Sequence, residues 1–173
     1  MLPKQPWKPA SVLVPLVERT SGHTILLTRR TERLHAHAGQ VSFPGGSAED
    51  DDQDPIQTAL RETEEETGLP RHCIDIVGYL DGYLTITGYA VTPVVGLIQP
   101  GFELRPDPLE VAEIFEVPLL WLRDPENRQV HRRQLAGHDV GYYQFDYDGH
   151  TIWGATAAML VGLVGKLEQW TRT

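Results

Sequence analysis

Apolar and polar positions follow strand-like patterns over two segments near the start of the chain. These segments are residues 11–18 (SVLVPLVE) and 24–30 (TILLTRR), with Ser21-Gly22 as the predicted turn between them. Such short apolar or alternating runs, bounded by turn residues, are typical of β-strands. A shorter strand is predicted around Val41 and Phe43, and it ends at the turn-forming residues 44–46 (PGG).

The pattern changes to a helical period after Asp54. Asp54 is a favourable N-cap, Pro55 suits the first helical position, and Gly68 matches the end of a helix. Between them, one set of positions recurs at i, i+3, i+4, i+7 and i+11: Ile56, Ala59, Leu60, Thr63 and Thr67. These residues share one face, so the sequence predicts a helix that buries that face.

More strands and two more helical segments follow. The predicted strands are 74–80, 83–87, 89–98, 110–117 and 140–147, and the helical segments are 118–123 and 155–170. Strands on both sides of helices predict an α+β fold with a mixed sheet covered by helices, in a single domain over residues 1–173. The apolar run ATAAMLVGLVGKL is shorter than the roughly 20 residues of a membrane span. We therefore expect a buried helix and no membrane partner.

Composition narrows the class of protein without deciding its function. Of the 173 residues, 40% are apolar and 23% are charged, which is ordinary for a soluble globular protein. Cys73 is the single cysteine, so no intramolecular disulfide can form and a cytoplasmic location is expected. There is no basic stripe to follow a phosphate backbone, so a nucleic acid partner is not expected.

The negative charge is concentrated in one stretch. The net charge is −9, and residues 46–66 alone, with nine acidic residues and one basic residue, carry −8 of it. On a helical wheel, Glu62, Glu65 and Glu66 form one stripe beside the buried face, whereas Glu64 lies on the opposite flank. Three carboxylates on one helix are oxygen ligands suited to Mg²⁺ or Mn²⁺. A solvated acidic helix face is the alternative interpretation of the same run.

Residues 46–69 (GSAEDDDQDPIQTALRETEEETGL) resemble the Nudix box, the signature of hydrolases that cleave nucleoside diphosphates linked to another group. The second half of the box matches at Arg61, Glu62, Glu65, Glu66, Gly68 and Leu69. Thr63 replaces the usual aliphatic residue. In the first half, Asp52 stands in place of the family's Glu, and the segment from there to Arg61 is one residue longer. The carboxylate that would orient Arg61 is therefore Asp52 or one of its neighbours.

A second stretch, residues 26–46 (LLTRRTERLHAHAGQVSFPGG), resembles the motif that precedes the Nudix box in coenzyme A pyrophosphatases. Nine positions match it: Leu26, Leu27, Thr28, Arg30, Gly39, Phe43, Pro44, Gly45 and Gly46. Two positions depart from it, Thr31 in place of Ser or Ala and His35 in place of Arg. Residues 87–96 and 152–157 are also similar to that subfamily, so the resemblance covers most of the chain.

The resemblance implies a Nudix fold, an α/β/α sandwich with a central mixed β-sheet, and a metal-dependent hydrolase. Glu62, Glu65 and Glu66 would bind Mg²⁺ or Mn²⁺, and Arg61 would hold one of the carboxylates in place. The general base would be Glu65 on the helix or Glu110 on a later loop. The five residues expected at the substrate are Arg29, Arg30, Arg33, Gly45 and Gly46.

The implied substrate is coenzyme A or acyl-CoA, cleaved to 3′,5′-ADP and phosphopantetheine or its acyl form. Arg132 and Arg133, in what we expect to be a basic loop, would contact the 3′-phosphate. Another nucleoside diphosphate derivative, such as a nucleotide sugar or a dinucleotide, is one alternative, and a Nudix-fold binding module without catalysis is the other. We expect a small-molecule nucleotide derivative as partner, bound by a monomer or a homodimer.

Overall fold

The computed structural model describes residues 6–32, 38–135 and 137–170, and its central layer is an eight-stranded sheet. The strands are Lys8–Arg19 (β1), Gly22–Arg30 (β2), Val41–Ser42 (β3), Gly45–Ser47 (β4), Ile74–Tyr79 (β5), Tyr83–Leu84 (β6), Tyr89–Ile98 (β7) and Val111–Pro118 (β8). Strands β1 and β7 run parallel, and the other strand pairs of this sheet are antiparallel. The predicted mixed sheet is therefore confirmed.

Strand β1 lies at the centre of the sheet and pairs along its length with β7. Its end pairs with the start of β2, whereas its start pairs with the short strand β4. The end of β2 pairs with β3. The segment 41–47 thus connects the end of β2 to the start of β1, and it continues as strand β4 where the sequence predicts that the strand ends.

A second sheet of three antiparallel strands lies apart from the first. Its strands are Gln129–Leu135 (β9), His138–Tyr147 (β10) and His150–Trp153 (β11), in the order β11-β10-β9. The sequence predicts part of β10 and misses β9 and β11. The prediction that Arg132 and Arg133 lie in a loop is wrong, because both belong to strand β9.

The helices cover both faces of the central sheet. They are Pro55–Thr67 (α1), Leu119–Arg123 (α2) and Gly154–Trp170 (α3). Helix α1 packs Ala59 into a core with Leu13, Leu26 and Val94 on one face. A second core joins the opposite face of the sheet to α2, α3 and the inner side of the second sheet, where Phe145 and Ile152 are buried. The α/β/α sandwich is therefore confirmed.

Among the helices of the described residues, none has the length and the apolar run that crossing a bilayer requires. The apolar segment near the end of the chain instead forms α3, which buries Leu160 and Leu163 in the second core.

Candidate active site

Helix α1 is held at both ends by the residues that the sequence predicts. The carboxylate of Asp54 accepts a hydrogen bond from the backbone amide of Gln57 at 2.9 Å, and Pro55 follows as the first helical residue. Gly68 ends the helix in the left-handed region at φ 71°, where its amide donates to the carbonyl of Glu64. Because Ala59 and Thr63 are fully buried, the helix has one fixed rotation, and that rotation decides which carboxylates face the same space.

Arg61 is the centre of the acidic stretch. Its guanidinium donates to the two oxygens of Asp52 at 3.1 and 2.8 Å, to Glu62 at 2.9 Å and to the carbonyl of Ser47 at 3.1 Å. The hydrogen bond from Arg61, aided by the backbone amide of Glu49, holds the pKa of Asp52 well below its usual value. Asp52 is therefore the carboxylate that orients Arg61, and the longer loop delivers it to that position.

Glu62 lies directly against the backbone of strand β4. A Cβ atom added to Gly46 would lie 2.5 Å from the Glu62 carboxyl carbon and one of its oxygens, too close for any contact between real atoms. Burial raises the pKa of Glu62, and the hydrogen bond and charge of Arg61 partly oppose that effect. A side chain at position 46 would therefore displace the Glu62 carboxylate from this place.

Glu66 is the most buried acid of the stretch, with only 4% of its surface exposed. Its Oε2 accepts a hydrogen bond from the backbone amide of Gly45 at 3.1 Å. Burial raises its pKa to about 7, and the nearby carboxylates of Glu62 and Glu110 act in the same direction. Burial of an acid together with neighbouring negative charge is the usual cause of such a shift.

Arg30, the last residue of β2, approaches Glu66 from the sheet. Its Nη1 lies 3.6 Å from Oε1 of Glu66, which is an ion pair without a close hydrogen bond. Its Nε is buried and has no hydrogen-bond partner among the described residues. A guanidinium carries five N–H donors in a fixed geometry, so Arg30 has donor capacity left for an anion beside Glu66.

Glu110 reaches the same space from the turn before β8. Its negative charge raises the pKa of both Glu62 and Glu66, so its carboxylate lies on their side of the molecule. The turn is tied to the end of β2, because the amide of Thr31 donates to the carbonyl of Glu110 and its hydroxyl donates to the carbonyl of Leu109, both at 2.9 Å. Thr31 is buried, and its role in this structure is to hold that turn.

The sequence model of the NUDIX domain family matches residues 7–137 of the chain. This chain is a member of the Nudix family. The uncharacterized Nudix hydrolase NudL of Photorhabdus laumondii is 43% identical over 162 residues, which cover 92% of this chain and 84% of that protein. The protein of the same name from Yersinia pestis is 42% identical over 162 residues, which cover 92% of this chain and 79% of that protein.

Solved Nudix structures share the fold at lower identity. The Nudix hydrolase RenU from M. smegmatis superposes with a TM-score of 0.57 at 24% identity, over 69% of this chain and 76% of that chain. A C. elegans Ap4A hydrolase superposes with a TM-score of 0.56 at 18% identity, over 64% of this chain and 80% of that chain. These likenesses establish a Nudix fold. Family membership establishes a hydrolase that acts on pyrophosphate-containing substrates.

Nudix hydrolases generally require a divalent metal, and the chemistry of the acidic stretch fits one. The negative charges of Glu62 and Glu110 raise the pKa of Glu66, and that of Glu110 also raises the pKa of Glu62, an effect that a bound cation would reverse. Within the described parts of the chain, however, no three acidic, histidine or cysteine side chains already surround one point. The carboxylates instead contact Arg61, Arg30 and the Gly45 amide.

The other two glutamates of helix α1, Glu65 and Glu64, point in different directions. Glu65 is 62% exposed, and its Oε2 lies 3.6 Å from Nη1 of Arg61, on the side of the acidic stripe. Glu64 instead accepts a hydrogen bond from Nε of Arg71 at 2.8 Å, on the opposite flank. The helical wheel predicts this separation of Glu64 from the stripe.

The arginines expected at the substrate are not brought together. Arg29 and Arg30 are consecutive residues of a strand, so their side chains point to opposite faces of the sheet. Arg30 faces Glu66, whereas Arg29 donates to Oε2 of Glu113 at 3.1 Å and lines a cleft of about 600 Å³. Arg33 and His35 lie outside the described residues.

Sequence reasoning misses a second cluster of polar side chains, which lies beside that cleft. Nε2 of His150 lies 3.1 Å from Oε2 of Glu113, and its ring stacks on Phe115 with 3.7 Å between centroids. Hydrogen bonds from His150 and Arg29 lower the pKa of Glu113. His150 begins the strand β11, which the sequence pattern does not predict, so no signal drew attention to this residue.

Proposed function

We propose that this Nudix hydrolase is a metal-dependent pyrophosphohydrolase that cleaves the pyrophosphate of coenzyme A or acyl-CoA. Its products would be 3′,5′-ADP and phosphopantetheine or acyl-phosphopantetheine. One observation carries the proposal: the segment that resembles coenzyme A pyrophosphatases is also the segment that contacts the acidic stretch. Arg30 lies 3.6 Å from Glu66, and the amide of Gly45 donates to the same carboxylate.

The departure at Thr31 does not weaken this proposal. The hydroxyl of Thr31 donates to the carbonyl of Leu109, and the residue is buried, so its side chain holds the turn that carries Glu110. A serine, which that subfamily can have here, offers the same hydroxyl donor. The difference from the subfamily therefore concerns how the turn is held, and it says nothing about the substrate.

The carboxylates of Glu62, Glu65 and Glu66 would hold Mg²⁺ or Mn²⁺. The bound metal would supply positive charge against the pyrophosphate oxygens and would make water a better nucleophile. Arg61, fixed by Asp52, would keep the Glu62 carboxylate turned toward the site through their 2.9 Å hydrogen bond. Arg30 would place its free donor capacity on a substrate phosphate oxygen beside Glu66.

The proton of the attacking water would be accepted by Glu110 or by Glu65. Glu110 is supported by its negative charge, which raises the pKa of both Glu62 and Glu66. Glu65 is supported by its place on the acidic stripe, although it is largely exposed. A carboxylate within reach of the water is the group that general base catalysis needs.

The test is a substrate panel with Mg²⁺ or Mn²⁺, with the products identified by mass. The panel contains coenzyme A, acetyl-CoA, dephospho-CoA, a nucleotide sugar and a dinucleoside polyphosphate. We expect coenzyme A or acetyl-CoA to have the highest kcat/KM, with 3′,5′-ADP as a product. A nucleotide sugar or dinucleotide with the highest kcat/KM would overturn the proposal and leave the family assignment intact.

A further inference from the structure

The outer face of the second sheet carries an arginine over two aromatic rings. The guanidinium carbon of Arg133 lies 5.7 Å from the centroid of Tyr142 and 5.8 Å from the centroid of Trp153. The two rings themselves meet edge to face, with centroids 6.2 Å apart and planes inclined by 67°. This arrangement spans three neighbouring strands, because β10 lies between β9 and β11.

Strand geometry separates Arg133 from the arginine next to it. Successive side chains of a strand point to opposite faces, so Arg132 does not share the face of Tyr142 and Trp153. Arg132 is 78% exposed and lies 3.9 Å from a carboxylate oxygen of Asp139. Arg133 has no acidic partner within ion-pair distance in the described ranges, so its charge is available to an anion.

Trp153 connects this face to the cleft beside Arg29. The cleft, of about 600 Å³, is lined by Trp153 and also by Gly39, Gln40 and Val41 from the segment that precedes the Nudix box. Among the described residues, the lining includes three acids, Glu32, Glu113 and Asp148, against one arginine, and that arginine is already paired with Glu113. Such a lining disfavours a phosphate inside the cleft and favours a planar group that donates hydrogen bonds, such as an aminopurine.

We infer that the cleft binds a purine base against Trp153 and that Arg133, outside it, binds a phosphate attached to the same nucleoside. Bases stack on aromatic rings, and arginine is a common partner for phosphate. The inference deepens the proposed function, because the 3′-phosphoadenosine of coenzyme A has both of these groups. It assigns the 3′-phosphate to Arg133 and leaves Arg132 without a role in binding.

The test compares Arg133→Gln with Arg132→Gln, which removes the same charge from the neighbouring position. Binding of 3′,5′-ADP and of 5′-AMP is measured by calorimetry with EDTA present, so the result does not depend on the metal or on turnover. For the wild-type protein and Arg132→Gln we expect tighter binding of 3′,5′-ADP. For Arg133→Gln we expect about a tenfold weaker affinity for 3′,5′-ADP and an unchanged affinity for 5′-AMP, as for a lost charged hydrogen bond.

Trp153→Leu tests whether the purine base stacks on Trp153. We expect it to weaken the binding of both nucleotides about tenfold, since stacking contributes similarly to each. Equal effects of Arg133→Gln and Arg132→Gln, or a wild-type protein that does not bind 3′,5′-ADP, would overturn the inference. Either result would mean that Arg133, Tyr142 and Trp153 only stabilise the hairpin. Neither result bears on the proposed function, which fails only if coenzyme A substrates are not preferred in turnover.

Discussion

Arg61 and Asp52 meet in a two-point contact, with Nε 3.1 Å from Oδ1 and Nη2 2.8 Å from Oδ2. The pair connects the loop before α1 to the helix and fixes the guanidinium plane. Because the same guanidinium donates to Glu62, the contact decides where that carboxylate lies. Asp52 therefore acts on the site through Arg61.

Asp52→Asn should lower kcat about 10- to 100-fold, the range found when a group that orients a metal ligand is lost. It should also lower the free energy of unfolding by about 1–3 kcal/mol, because Arg61 loses a charged acceptor. Asp51→Asn is the matched control, since Asp51 is an exposed residue of the same loop. Activity and thermal unfolding are measured for both variants, and a comparable loss in the control would contradict the role of Asp52.

Glu66→Gln should nearly abolish turnover, whereas Glu64→Gln should change it little. Glu66 is buried beside Gly45 and Arg30, but Glu64 pairs with Arg71 at the surface, where an ion pair contributes about 0–1 kcal/mol. Mg²⁺ should raise the melting temperature of Glu64→Gln more than that of Glu66→Gln, as expected for a ligand of the folded state. If the two variants lose activity to the same extent, the acidic stripe is not a metal site.

The stability of the metal-free protein should fall as the pH rises from about 4.5 to about 7. Burial raises the pKa of Glu66 from 4.5 to about 7, so the folded state binds this proton more tightly than the unfolded state. The stabilisation from this proton on Glu66 is fully present below the pKa of the unfolded state and is lost as the pH rises through the pKa of the folded state. Between the two pKa values, the free energy of unfolding falls by up to about 1.4 kcal/mol per pH unit. Urea unfolding in EDTA across this range measures it, and Glu66→Gln should remove this part of the slope.

Glu110→Gln distinguishes the two candidates for the general base. If Glu110 accepts the proton, the variant should lose about 10²- to 10⁴-fold in kcat, the usual contribution of such a group, with little change in the Mg²⁺ concentration required. Glu103→Gln, in the same long connection but exposed and paired with Arg105, is the control. A nearly unchanged kcat for Glu110→Gln, together with a large loss for Glu65→Gln, would assign the proton to Glu65.

The sequence predicts those parts of the fold whose pattern is local. The caps of α1 at Asp54 and Gly68 and the two long strands that follow the N-terminus are of this kind. Strand β9 reads QVHRRQL, which has neither alternation nor an apolar run, because both of its faces carry charged or polar residues. A pattern search that depends on apolar residues cannot find such a strand.

The same limit applies to the candidate site. The stripe of Glu62, Glu65 and Glu66 follows from helix geometry alone, and so does the different direction of Glu64. The contact between Glu66 and the amide of Gly45 joins residues 21 positions apart and depends on strand β4. The direction of Arg29, into the cleft and away from Glu66, becomes evident only when the faces of β2 are known.

The parallel pairing of β1 with β7 has a consequence for the order of folding. It joins positions 81 residues apart, such as Ser11, whose hydroxyl donates to the carbonyl of Thr92. Loops of this length close slowly, and β7 is synthesised after the whole of α1. Until then four glutamates repel one another in a helix of 13 residues, and the sheet that this helix packs against lacks Val94 and Ile98 of β7. We therefore expect α1 to become stably helical only once the central sheet closes, so that the candidate active site forms as a late event in folding.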